Sequence, residues 1–140
     1  YAKTTNRTPP LVGDVVLDAS AILALIFEEP GSDRVEAHLP GALVSTVNIA
    51  EVATRLLAFD MPAETVETVI DTLQLSIQVF DYDQALAVGQ LRSVTRSAGL
   101  SLGDRACLAL AKARNTRALT TDRAWESIAG EAAVDVELLR

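Results

Sequence analysis

The 140-residue chain carries 12 Lys and Arg against 19 Asp and Glu, a net charge of −7, with 49% hydrophobic residues and a mean hydropathy of +0.24. That length fits one domain burying about two-thirds of its unfolded surface, and the apolar content excludes wholesale disorder. No apolar run reaches the roughly 18 residues of a membrane span, and the acidic balance argues against a polyanion ligand unless the acids gather in a cation site or the bases cluster elsewhere.

The first ten residues, YAKTTNRTPP, are polar and end in a proline pair. Lacking an apolar stretch, they do not form a signal peptide, and residues 1–12 are expected to be a disordered leader outside a domain spanning 13–140. DVVLD (14–18) is a β-branched apolar run closed by an acid, the pattern of a buried strand. ASAILALIFEE follows with helical spacing and is stopped at Pro30-Gly31; SDRVEAHLP gives a second short helix. ALVST (42–46) is the next strand, and VNIAEVATRLLAFD a helix with Val52, Leu56 and Phe59 on one stripe. Pro62 opens the amphipathic AETVETVIDTLQ, IQVF (77–80) is a third strand, and DQALAVGQLRSVTRSAG and SLGDRACLALAKARN are further helices. The strand ALTT (118–121), the short helix DRAWESIAG and a weak edge strand, AVDVELL, complete the chain. Strands alternating with helices along the whole length predict one α/β domain, a parallel sheet covered on both faces.

Cysteine and histidine usage narrows the chemistry. The single Cys107, between Ala106 and Leu108 on a helix, forms no internal disulfide, is expected in the core, and fits a reducing cytoplasm. The lone His38, in a polar stretch, is expected at the surface. One histidine excludes a His–His acid–base pair within the chain, and a His/Cys zinc site with it.

The acids carry the remaining signal. Asp18 ends the first strand and Asp122 follows ALTT, and ligands of parallel sheets bind beyond the carboxyl ends of strands. Glu51 lies one turn into the helix after the second strand, and Asp104 in the first turn of the helix beginning near Ser101. Both helices start at the same sheet edge, so four segments point their acids at one place. Each acid also has a structural reading. Asp18 and Asp122 could cap the helices that follow them, and Asn48-x-x-Glu51 and Ser101-x-x-Asp104 resemble capping boxes. A cluster of four repelling carboxylates favours the alternative, a hard divalent cation with oxygen ligands.

The segments VVLDASAILALIFEEPG, VNIAEV, GLSLGDRACLALA and LTTD-x-x-W resemble, in order and spacing, the signature segments of the PIN-domain nucleases, and more closely the VapC-type toxins of type II toxin–antitoxin pairs. The resemblance covers residues 14–140 and implies a parallel sheet of order 3-2-1-4-5 flanked by helices. It places the catalytic acids on Asp18, Glu51, Asp104 and Asp122, with Asp18, Asp104 and Asp122 toward the metal, Glu51 orienting the attacking water, and Ser20 and Asn48 supporting. The implied activity is endonucleolytic RNA cleavage, of tRNA or rRNA, dependent on Mg²⁺ with Mn²⁺ able to substitute. The partners it implies are the RNA substrate, an antitoxin protein and a second copy of the chain, with no membrane. Arg105 and Arg123, beside two of the acids, are candidate phosphate contacts, and Arg92 and Arg96 could extend that rim. Trp125 is a core anchor or a stacking platform.

Three rival readings remain open. They are a PIN-like RNA-processing nuclease without an antitoxin, an aspartate-based phosphatase or phosphotransfer protein, and a non-catalytic module retaining the acids. Ser20 stands where such a phosphatase wants a second Asp, and Thr120-Thr121-Asp122 lacks the lysine a receiver needs after a late strand.

Overall fold

The computed structural model describes residues 15–140; the expected leader, residues 1–12, lies outside the described residues. Five parallel strands, β1 (Val16–Leu17), β2 (Leu43–Ser45), β3 (Ser76–Gln78), β4 (Ala118–Thr120) and β5 (Val136–Leu138), form one sheet in the order β3-β2-β1-β4-β5. The order expected from the resemblance is the order found. Among the described residues seven α-helices surround it: α1 (Ala19–Ile26), α2 (Ser32–Glu36), α3 (Thr46–Ala58), α4 (Ala63–Thr72), α5 (Tyr82–Thr95), α6 (Leu102–Ala113) and α7 (Ala129–Ala132). The expected last helix divides into a 3₁₀ segment, Arg123–Ser127, and α7.

Side chains of successive strand residues point to opposite sheet faces, and that alternation sorts the core into two layers. Val16, Leu43 and Ala118 face α5, α6, Trp125 and α7, while Val15, Leu17, Val44 and Leu119 face α1 to α4. Every residue of β1 and β4 is fully buried, as a central parallel strand covered on both sides requires. Cys107 and Trp125 are fully buried, so both are core residues and Trp125 offers no face to a ligand.

Two expectations fail. Val52 and Leu56 are fully buried, but Phe59 is 61% exposed, because α3 ends at Ala58 and Phe59 leaves the helical stripe as its C-cap. His38 is buried at 9% exposure. Burial, with the nearby Arg117 charge, lowers the imidazole pKa against the opposing charge of Glu137.

The last strand is pinned to the rest of the molecule. Glu137 accepts from Arg34 at 2.6 Å and Arg117 at 2.9 Å, and Arg140 reaches Glu29 at 3.2 Å. Gly31, at φ +97°, lies against Leu139 so closely that a Cβ would stand 2.8 Å from its backbone oxygen. The Pro30-Gly31 stop thus also makes room for the chain's end.

Candidate active site

At the carboxyl end of the sheet a cleft of about 720 Å³ is lined by Asp18, Glu51, Asp104 and Asp122, with Ser20 and Arg55 at its side. Each acid is delivered by a different local device.

Asp18 follows β1, and its backbone N–H donates to the Leu119 carbonyl of β4 at 3.0 Å. It occupies the N-cap position of α1, yet its side chain caps nothing. Instead Oδ2 accepts two hydroxyl bonds, from Ser20 at 2.7 Å and from Thr120 at 2.9 Å. Each hydroxyl has one proton and spends it on Asp18, so the 3.2 Å approach between the two is a contact, not a third bond. The backbone N–H groups of Thr121 and Asp122 in turn donate to the Ser20 and Thr120 oxygens at 3.0 and 3.1 Å. This network ties the ends of β1 and β4 together around one carboxylate.

Glu51 stands on α3, whose cap is Ser45, accepting from Val47 N–H. Asn48 is therefore inside the helix, fully buried, and Asn48-x-x-Glu51 is not a capping box. Its Nδ2 donates to Glu51 Oε1 at 2.9 Å and to the Gly103 carbonyl of α6 at 3.0 Å. Gly103 has no side chain for a steric reason: a Cβ there would overlap the Glu51 carboxylate. Asp104 does form a capping box with Ser101, accepting the Ser101 N–H at 2.9 Å while the Ser101 hydroxyl accepts from Asp104 N–H at 3.2 Å. Asp122 caps the 3₁₀ segment by accepting from Ala124 N–H at 3.0 Å.

Capping and clustering are thus compatible, since each acid commits one oxygen to the protein. Among the described residues the second oxygen of each takes no hydrogen bond.

Electrostatics mark the cleft as costly. Burial pushes the Asp18 carboxyl up to about 6; the Ser20 and Thr120 hydroxyls oppose the shift, and the Asp104 and Glu51 charges add to it. Glu51 and Asp104 are also raised, by burial first, against the Asn48 and Ser101 bonds respectively, with Asp104 charge acting on Glu51 and Asp122 charge on Asp104.

Of the basic residues expected at the rim, Arg105 is close enough for its charge to oppose the rise in the Asp104 pKa. Arg105 also donates to the Val88 carbonyl of α5 at 3.1 Å, while Arg92, Arg96 and Arg123 are exposed and are not among the residues lining the cleft. The cleft's own arginine is Arg55. Its signal in the sequence is position: four residues after Glu51, it shares that side chain's helix face. Thr120 and Gly103 have no comparable local signal.

The family model of the PIN domain matches residues 15–131. The chain belongs to the PIN-domain family. Among solved structures this PIN domain is similar to a chain of a toxin–antitoxin complex from Klebsiella pneumoniae, at TM-score 0.69 and 19% identity over 91% of this chain and 98% of that one. It is likewise similar to DNA-bound VapBC from Salmonella typhimurium (0.68, 19%, 91% and 98%) and to FitAcB from Neisseria gonorrhoeae (0.63, 20%, 87% and 95%). No curated protein matches the sequence.

The donor set can be tested against a cation. Among the described residues, no group of three or more His, Cys, Asp or Glu forms a ready-made cage. The cleft's lining instead offers carboxylate and hydroxyl oxygens, with no histidine or cysteine among them. That suits a hard cation such as Mg²⁺, which keeps several waters and takes few protein ligands, and not a zinc ion wanting a closed set of nitrogen and sulfur donors.

Proposed function

We propose that this PIN domain is a divalent-cation-dependent endoribonuclease, the toxin of a toxin–antitoxin pair that cuts cellular RNA such as tRNA or rRNA to arrest growth. The observation that carries the reading is the convergence of four carboxylates from four segments on one cleft, with Asp18 buried and destabilised by its own charge. Capping accounts for Asp104 and Asp122 singly but not for gathering four acids around a buried Asp18; a phosphodiester substrate brought in with a cation accounts for all four.

Asp18, Asp104 and Asp122 are assigned to hold Mg²⁺, with Mn²⁺ as a substitute, through the oxygens they leave uncommitted. The cation supplies positive charge for the scissile phosphate and acidity for the attacking water. The residues divide the remaining work. Ser20 and Thr120 fix the Asp18 carboxylate, so its free oxygen faces the cleft in one orientation. Asn48 holds one Glu51 oxygen against α6 and leaves the other to orient the attacking water. Its raised pKa makes Glu51 a better proton acceptor than an exposed glutamate.

An antitoxin partner is proposed as well, supported by solved neighbours described as toxin–antitoxin and VapBC complexes, and a homodimer is proposed on the family resemblance alone.

The test is cleavage of total RNA by the purified chain. With Mn²⁺ or Mg²⁺ it is expected to yield fragments with 5′-phosphate and 3′-hydroxyl ends, and none with EDTA. Asp18→Asn and Asp104→Asn are expected to lose cleavage at unchanged far-UV circular dichroism. Wild-type activity in both variants, or 2′,3′-cyclic phosphate ends formed in EDTA, sinks the proposal.

A further inference from the structure

A second depression, of about 500 Å³, opens beside the acidic cleft and shares Ser20, Leu23 and Arg55 with it. Its remaining wall includes Phe27 and Phe59. Both rings are exposed, at 41% and 61%, and they meet edge to face with centroids 5.3 Å apart. The Arg55 guanidinium lies 5.9 Å from the Phe59 ring centre, and among the described residues Arg55 has no ion pair. The far rim is polar: Arg140 bonds Glu29 at 3.2 Å and the Pro30 carbonyl at 3.4 Å, and Thr121 completes it.

An exposed aromatic pair, an arginine with no ion pair among the described residues and a polar rim form a poor seat for an apolar protein helix, which needs a continuous apolar track. They match a nucleotide, which has a π face to stack and a phosphate for arginine to meet. Because three residues line both depressions, a strand leaving the acidic cleft passes this one next.

We propose that the Phe27–Phe59 depression is a nucleobase subsite for single-stranded RNA. The base next to the scissile phosphate stacks on Phe59, and Arg55 contacts the phosphate that joins the two sites. This rests on the endoribonuclease reading and deepens it. Stacking on a ring face is tolerant of base identity but requires an unpaired base, so cleavage is directed to loops and single-stranded stretches.

The test measures binding of a single-stranded oligoribonucleotide containing 2-aminopurine, in Mn²⁺, with the cleavage-deficient Asp104→Asn chain as background. Adding Phe59→Ala or Phe59→Leu is expected to weaken binding at least about five-fold, the low end for loss of one stacked base. Phe59→Trp is expected to bind as well as the background. Arg55→Gln is expected to reduce the salt slope of log K by about 0.7, one single-strand phosphate contact. An abasic nucleotide in place of 2-aminopurine is expected to bind no more tightly than the Phe59→Ala pairing, with no further loss when both changes are combined. Binding within two-fold of background for both Phe59→Ala and Phe59→Leu overturns the subsite. So does a background chain that binds no oligoribonucleotide. Unchanged RNA affinity with weakened capture of a co-expressed antitoxin overturns it in favour of a protein-docking face. Cleavage of total RNA by the wild type is scored separately, so the subsite can fail while the nuclease stands.

Discussion

Asp18 is 4% exposed and accepts two hydroxyl bonds on one oxygen, yet its carboxyl is still pushed up to about 6 from an ordinary 3.8. Between those values the folded chain keeps a proton that the unfolded chain has released. Stability therefore falls as pH rises through the window, and above pH 6 the charged form carries a penalty on the order of 3 kcal/mol. Asp18→Asn removes that penalty while keeping an oxygen for Ser20 and Thr120. In EDTA its melting temperature is expected to exceed that of the wild type at pH 7, with the gap closing toward pH 4. Mn²⁺ at pH 7 is expected to raise the wild-type value by mass action and the variant's less. A gap independent of pH, or equal metal shifts in both, removes the electrostatic account. Asp104 and Asp122 differ, because each also caps a turn, and an acid near a helix start is favourable. Their replacement is expected to give smaller gains.

At the scale of elements, the contact between α3 and α6 is organised by one missing side chain. Gly103 lets the α6 backbone approach until its carbonyl reaches Asn48, and leaves the space in which the Glu51 carboxylate sits. Gly103→Ala favours the helix by up to about 1 kcal/mol. The new methyl, however, occupies the carboxylate's place, and the flexible end of Glu51 is the part able to move. The expected result is an unchanged or raised melting temperature with cleavage reduced at least ten-fold, read from thermal melts and single-turnover rates on one preparation. Lost stability with full activity would show that the backbone, not Glu51, gives way.

Over the whole molecule, a net charge of −7 is carried by a fold whose candidate active site is itself acidic. A basic segment of a partner protein entering the cleft would offset that charge and block the proposed metal ligands together, the complementarity expected of an inhibitor. Expression of the chain alone is expected to arrest growth, and co-expression of its antitoxin to relieve the arrest. Growth unaffected by the intact chain withdraws the toxin reading without touching the nuclease assay. Among the described residues no helix is long and apolar enough to cross a membrane.

What the sequence determined by itself was local. A β-branched run ending in Asp18, another ending beside Asp122, and helical periodicity around Glu51 and Asp104 fixed the elements, and so the sheet edge at which each acid emerges. The strand order came from family resemblance, because periodicity says which face a residue takes and not which strand lies beside it. Only the tertiary structure decided what each acid touches. Thr120 reaches Asp18 across 102 positions of chain, and Asn48 reaches the Gly103 carbonyl across 55. Spacing along the sequence carries no information about such pairs. The same limit accounts for His38, polar in its neighbours but buried in the fold, and for Phe59, apolar in pattern but one residue past its helix. It also accounts for Arg105, next to an acid in sequence yet bonded to Val88, while the exposed Arg55 lines the cleft. Adjacent helix residues diverge by about 100°, so the neighbour of a site residue faces away from the site, and the residue four positions on stands beside it.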